Sequence, residues 1–197
     1  PIEVSYALHS QNIVDANENV SDFEKALQLE DIRKKGDKLP PYVDPPRTVY
    51  YKETGNFLPR IKKLYDNIPR KDIFIGLQSE LKSNTEQFVK KVEQFLGISN
   101  YNSYNFEPVN ENKIVKNKKL HRYIKKPATI HKKLFRTFIP SRTIRKWAVD
   151  KVYSSNLKHT KRQSMSEKTK QKLKSYFYKN NELLNKIIDC DVSSWND

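Results

Sequence analysis

With 197 residues, 36% of them hydrophobic, the chain is long enough to bury a modest core as one domain or as a large part of one. Four glycines against ten prolines and 31% charged residues exclude a Gly-rich barrel and a disordered tail, and favour a helix-leaning fold. A net charge of +15 attracts an anionic partner without choosing one, and a lone cysteine, Cys190, excludes an internal disulfide, so a reducing, cytoplasmic setting is expected.

In chain order, "PIEVSYALHSQ" reads as a helix start, with Ile2, Val4, Tyr6, Ala7 and Leu8 clustered. A polar stretch leads to a second helix, predicted over 22–35. Ser21 and Glu24 match a capping box there, Phe23, Ala26 and Leu27 open its apolar face, and Gly36 with Pro40 and Pro41 ends it. After the stiff "VDPPRTVY", the spacing of Phe57, Ile61, Leu64, Tyr65 and Ile68 predicts a third helix, with Pro59 a local irregularity.

The period then changes. "DIFIGLQ" is a short apolar run between charged flanks, as in a buried parallel strand. A helix follows, with a capping box at Ser83 and Glu86, an apolar face of Phe88, Val92, Phe95 and Leu96, and a terminating Gly97. Helix, strand, helix is the order of an α/β layer fold. Residues 99–112 read as an Asn- and Tyr-rich loop, residues 113–126 as a concentration of positive charge, and residues 127–159 as helix with ragged apolar pairs. A last helix has a capping box at Ser164 and Glu167 and a stripe of Leu173, Phe177, Leu184, Ile187 and Ile188.

Chemical candidates are few. The histidines, His9, His121, His131 and His159, lack the close pairing of a zinc site, and Cys190 in "DCD" is disfavoured as a thiolate. The run Lys113, Lys116, Lys118, Lys119, Arg122, Lys125 and Lys126 can hold phosphate or sulfate oxygens, although charge runs are more often solvated faces. No apolar run approaches the roughly 20 residues of a membrane-spanning helix.

Four stretches, in order, resemble the carboxy-terminal part of sulfotransferases that use 3′-phosphoadenosine 5′-phosphosulfate (PAPS), of the bacterial and related Golgi-type family. "PIEVSYALHSQ" is similar to the family's 3′-phosphate segment, Arg-Asn-Pro-x-x-x-x-x-Ser. "GNFLPRIKKLYDNIPRKDIFIGLQSELKSNTEQFVKKVEQFLGI" resembles its helix–strand–helix block ending in Phe-Leu-Gly. "NENKIVKNKKL" resembles the later Asn-x-x-x-x-x-Arg-Ser-x-x-Leu segment, and "MSEKTKQKLKSYFYKNNELLNKIIDCDVSSW" the closing helix with its Asp-x-Ser-x-Trp tail.

The resemblance implies an α/β, P-loop-type fold, a parallel sheet wrapped by helices, of which residues 1–197 form a single domain incomplete at its amino terminus. It implies PAPS as cosubstrate and adenosine 3′,5′-bisphosphate as product, and a saccharide or small hydroxylated acceptor taking the sulfuryl group on a hydroxyl or amine. The family's serine position falls on Ala7, leaving Ser5 and Ser10 as the nearest hydroxyls, and Lys116 stands where the family has arginine. The implied cofactor contacts are therefore Lys116, Lys113, Asn112, Ser5 and Ser10. The phosphosulfate loop and the catalytic base would precede Pro1, so this chain alone is expected to be inactive. The competing reading is a basic helical nucleic-acid-binding or scaffolding protein without catalysis, separable by its response to the nucleotide.

Overall fold

The computed structural model describes residues 1–98, 106, 113–160 and 164–196. Among these the chain is mostly helical with one small sheet. Its contacts fall into two units. One joins Ile2–Gly55 to Glu111–Lys170; the other joins Asn56–Asn110 to Gln171–Asp197 and counts Pro1 with them.

The first unit is built on α1 (Ile2–Val14), α2 (Phe23–Arg33) and the short α3 (Tyr51–Gly55). Of the residues that α1 buries only Val14 is aliphatic: Val4 is exposed, whereas Ser5, His9 and Asn12, at i, i+4 and i+7, face inward. Each is paired with a carbonyl of another segment. The Ser5 hydroxyl donates to Tyr51 O at 2.8 Å, the Asn12 amide donates to Thr48 O at 2.8 Å, and His9 Nε2 lies 2.8 Å from Val20 O. Carbonyls of neighbouring segments thus find donors that an apolar stripe could not supply.

The helix ends differ from the capping-box expectation in a consistent way. Asp22, not Ser21, caps α2 by accepting from the Lys25 amide at 2.8 Å. α2 ends at Arg33, followed by Gly36 at φ +92°, a left-handed conformation that favours glycine. The same unit holds β1 (Lys113–Val115), α7 (Lys118–Lys125), α8 (Thr129–Phe138), α9 (Arg142–Ser155) and β2 (Leu157–His159). β1 and β2 pair antiparallel with Ile114 opposite Lys158, and α1 packs against β1.

In the second unit, the helix expected from the spacing of Phe57 to Ile68 is present. α3 stops at Gly55, and α4 (Leu58–Asn67) starts afresh with Pro59 in its first turn, where the missing N–H costs nothing. A short α5 (Gln78–Ser83) precedes α6 (Thr85–Leu96). Asn84, not Ser83, caps α6 by accepting from the Gln87 amide at 3.0 Å, and Gly97 ends it at φ +66°. α10 (Glu167–Asn185) is capped by Ser166, not Ser164, whose hydroxyl accepts from the Thr169 amide at 3.2 Å.

The core of this unit is Leu58, Leu184, Ile188 and Val192, with Ile61, Tyr65, Ile75, Leu77 and Trp195 packed on it. Trp195 meets Phe57 with centroids 5.7 Å apart. The segment expected as a parallel strand, residues 73–77, is extended at both ends, with φ −121° and ψ 121° at Ile73 and φ −92° and ψ 137° at Leu77. It has no ladder partner among the described residues, whose only sheet is the antiparallel β1–β2 pair. Its side chains nonetheless alternate as a buried strand's do. Ile75 and Leu77 join the core, whereas Phe74 packs on Phe88 and Phe95 of α6, at centroid distances of 5.9 and 5.6 Å. Gly76 makes room for this ring cluster, because a Cβ there would lie 2.5 Å from the Phe88 ring and 2.9 Å from Phe74.

Candidate functional site

Of the sequence-derived candidates, Lys113 lies on β1 and Lys116 directly after it, and β1 packs against α1, the helix that carries Ser5 and Ser10. Asn156 follows α9 and clasps the end of β1. Its Oδ1 accepts from the Asn117 amide at 2.9 Å, its Nδ2 donates to Asn117 O at 3.0 Å, and its carbonyl accepts from the Lys116 amide at 2.9 Å. Asn117 in turn caps α7, accepting from the Leu120 amide at 3.0 Å. A third tie runs from α7 to α1: the buried His121 places Nε2 2.6 Å from Val14 O, which assigns the proton to Nε2 and leaves Nδ1 a buried acceptor without a partner among the described residues.

On this frame Lys116 is exposed and donates one of its three N–H groups to Ser155 O at 2.7 Å, where the cation also meets the negative end of α9. Lys113 is exposed on β1. Asn112 lies outside the described residues. The two serines do not fit the role drawn from the resemblance. Ser5 is fully buried with its proton given to Tyr51 O, and Ser10 donates to Tyr6 O at 3.1 Å within its own helix. The cationic part of the expected site is thus available to an anion, while the hydroxyl part is occupied by the protein's own carbonyls.

The basic run is divided in its uses. Lys125 lies 4.7 Å from the Tyr153 ring centroid and 4.0 Å from Asp15, and Lys126 donates to Tyr42 O at 3.2 Å. Lys118, Lys119 and Arg122 stand exposed with Lys113 and Lys116. No protein-family model, curated protein or solved structure matches the chain.

A second constellation lies outside the sequence-derived candidates. The Glu18 carboxylate, fully buried, accepts from Arg33 Nη1 and Nη2 at 2.7 and 2.8 Å, from Tyr51 Oη at 2.7 Å, and from the Asn19 and Val20 amides at 2.8 Å each. Burial alone would raise its pKa, but the Arg33, Val20 and Tyr51 hydrogen bonds outweigh burial and hold it below the ordinary carboxylate value. Tyr51 is pushed well up by burial and by the Glu18 charge, and burial pulls His9 below its ordinary value against its bond to Val20. Every Glu18 lone pair is engaged, so this cluster is a structural clamp rather than a general base. The signal that could have revealed it is the polar i, i+4, i+7 stripe of α1.

Cys190 donates its thiol to Ile75 O at 3.1 Å, and burial with the Glu80 and Asp189 charges raises its pKa, so the thiolate is disfavoured. Among the described residues no group of three or more His, Cys, Asp or Glu side chains is placed to hold a metal ion, and no helix is long and apolar enough to cross a membrane.

Proposed function

We propose that the chain is the helix-rich carboxy-terminal part of a PAPS-dependent sulfotransferase of P-loop-type α/β fold, contributing the 3′-phosphate side of the nucleotide site. The observation that carries this reading is the packing of α1 against β1. It brings the stretch that the resemblance assigns to that phosphate against the later stretch that supplies the implied cofactor contacts, in which Lys113 and Lys116 are exposed cations. The alternation of residues 73–77 between α6 and the Leu58–Leu184 core supports the same fold, since a segment covered on both faces is what a parallel sheet requires.

In this reading Lys113 and Lys116 hold the 3′-phosphate as point charges, and the positive field of the unit raises the local concentration of the polyanionic nucleotide. When bound, PAPS supplies the sulfuryl group for a hydroxyl or amine of a saccharide or small hydroxylated acceptor, and adenosine 3′,5′-bisphosphate is the product. The chain's own groups bind and orient.

The test is thermal stabilisation by adenosine 3′,5′-bisphosphate. A rise in Tm with nucleotide concentration is expected, weakened in Lys113→Ala/Lys116→Ala and partly kept in Lys116→Arg. No response to millimolar nucleotide, together with steeply salt-dependent binding of single-stranded DNA, would overturn the reading in favour of a nucleic-acid-binding protein.

A further inference from the structure

Between Lys118 and Ser155 the chain carries twelve lysines and arginines against one acidic residue, Asp150. Through the same stretch it exposes large apolar side chains: Phe138 is 80% exposed, Trp147 65%, Ile130 64% and Ile144 55%. The two chemistries are segregated most clearly on α8. On α8, Ile130, Leu134 and Phe138 follow one another at i, i+4 and i+8, whereas Lys132, Lys133 and Arg136 lie round the other side. On α9, Ile144, Trp147 and Ala148 share a flank opposite Arg142 and Lys146, and Lys151 continues that flank one turn on. The turn between the helices is fixed, since Arg145 donates to the carbonyls of Ile139 and Pro140.

An apolar stripe rimmed by cations of one sign narrows the occupant. A second copy would bring the same positive charges face to face. Single-stranded nucleic acid would satisfy the cations and stack on Phe138 and Trp147, yet it would leave the exposed aliphatic Ile130, Leu134 and Ile144 in water. A bilayer containing anionic lipid satisfies both: headgroup phosphates take the lysines and arginines, while Phe138, Trp147 and the aliphatic residues enter the boundary of the acyl region. We infer that the segment formed by α8, its turn and α9 docks the protein onto an anionic membrane surface, lying in the interface without crossing it. This stands independently of the sulfotransferase reading.

The experiment uses the full chain and extruded vesicles of phosphatidylcholine, with or without roughly a third phosphatidylglycerol. Co-sedimentation with the anionic vesicles alone is expected, weakening as salt rises. A blue shift of tryptophan emission should accompany it and disappear in Trp147→Phe, which keeps sedimenting. Phe138→Ser/Trp147→Ser should lose roughly tenfold or more in partitioning. Leu96→Ser, an equally exposed apolar truncation on α6, should lose nothing. Circular dichroism verifies that each variant is folded. Failure to sediment with anionic vesicles overturns the inference, as does equal binding to neutral ones or an equal loss in Leu96→Ser. A Trp147 blue shift produced by single-stranded DNA, or by raising protein concentration without lipid, overturns it in favour of a nucleic-acid or self-association surface.

Discussion

Around Tyr51 the most deeply buried groups include nitrogens and oxygens in numbers, with Ser5, Asn12, Glu30 and Arg33 at or near zero exposure; around Leu184 they are carbons. The first arrangement depends on direction, since each donor must meet one acceptor, and the second depends on volume. Glu30 illustrates the former: its carboxylate accepts from the Lys52 and Glu53 amides at 2.6 and 3.0 Å, so one α2 side chain sets where α3 begins. The contrast teaches that similarly small units can be held by different physics, and that they should fail under different insults.

The largest expected break is in the polar cluster. Arg33→Ala leaves the Glu18 charge buried without its partner and should cost about 3–5 kcal/mol in urea unfolding. Glu18→Leu/Arg33→Met should recover much of that loss, because removing both charges removes the desolvation cost. Leu184→Ala probes the other core by volume and should cost about 3 kcal/mol, with no sensitivity to pH. Gly76→Ala should cost about 1–3 kcal/mol, since its methyl group meets the Phe88 ring, and trimming the ring in Gly76→Ala/Phe88→Leu should relieve part of it. Smaller still, Asn84→Ala should cost about 1 kcal/mol through loss of the α6 cap.

Acid sharpens the comparison without mutation. His9 has a folded-state pKa below its unfolded value near 6.5, so the stability it contributes is present above that value and is lost as pH falls from there toward the folded pKa. Glu18 is depressed from a reference near 4.5, so its contribution goes as pH falls further, through its own folded value. Hydrogen exchange measured from pH 7 downward should report earlier opening of the amides of α1 and α2 than of α4. Equal loss in both would break the distinction.

Much of the helical framework was legible, and the misreadings share a cause. Ser21, Ser83 and Ser164 were each read as caps from a Ser-x-x-Glu spacing, but Asp22, Asn84 and Ser166 lie closer to the true helix starts and present the acceptor. Local spacing found the right turn and missed the residue by one or two. Of the stripe Leu173, Phe177, Leu184, Ile187 and Ile188, all but the half-buried Ile187 are buried, because an apolar period states its face directly. The reverse held in α1, where the expected apolar cluster is partly exposed and the buried face is polar. That face acquires meaning only from carbonyls at positions 20, 48 and 51, which no local window contains. For the candidate site, the charge of Lys116 was legible, while the commitment of Ser5 to Tyr51 O and the split duties of Lys125 and Lys126 needed three dimensions.

The vacancy of side chain at Gly76 has a consequence for descent. With Phe74 and Phe88 both leaning into the space where a methyl group would sit, position 76 cannot drift alone. A lineage that gains a side chain there must shrink the ring at 88 in the same step or soon after, so the two positions should change as a pair across any set of relatives.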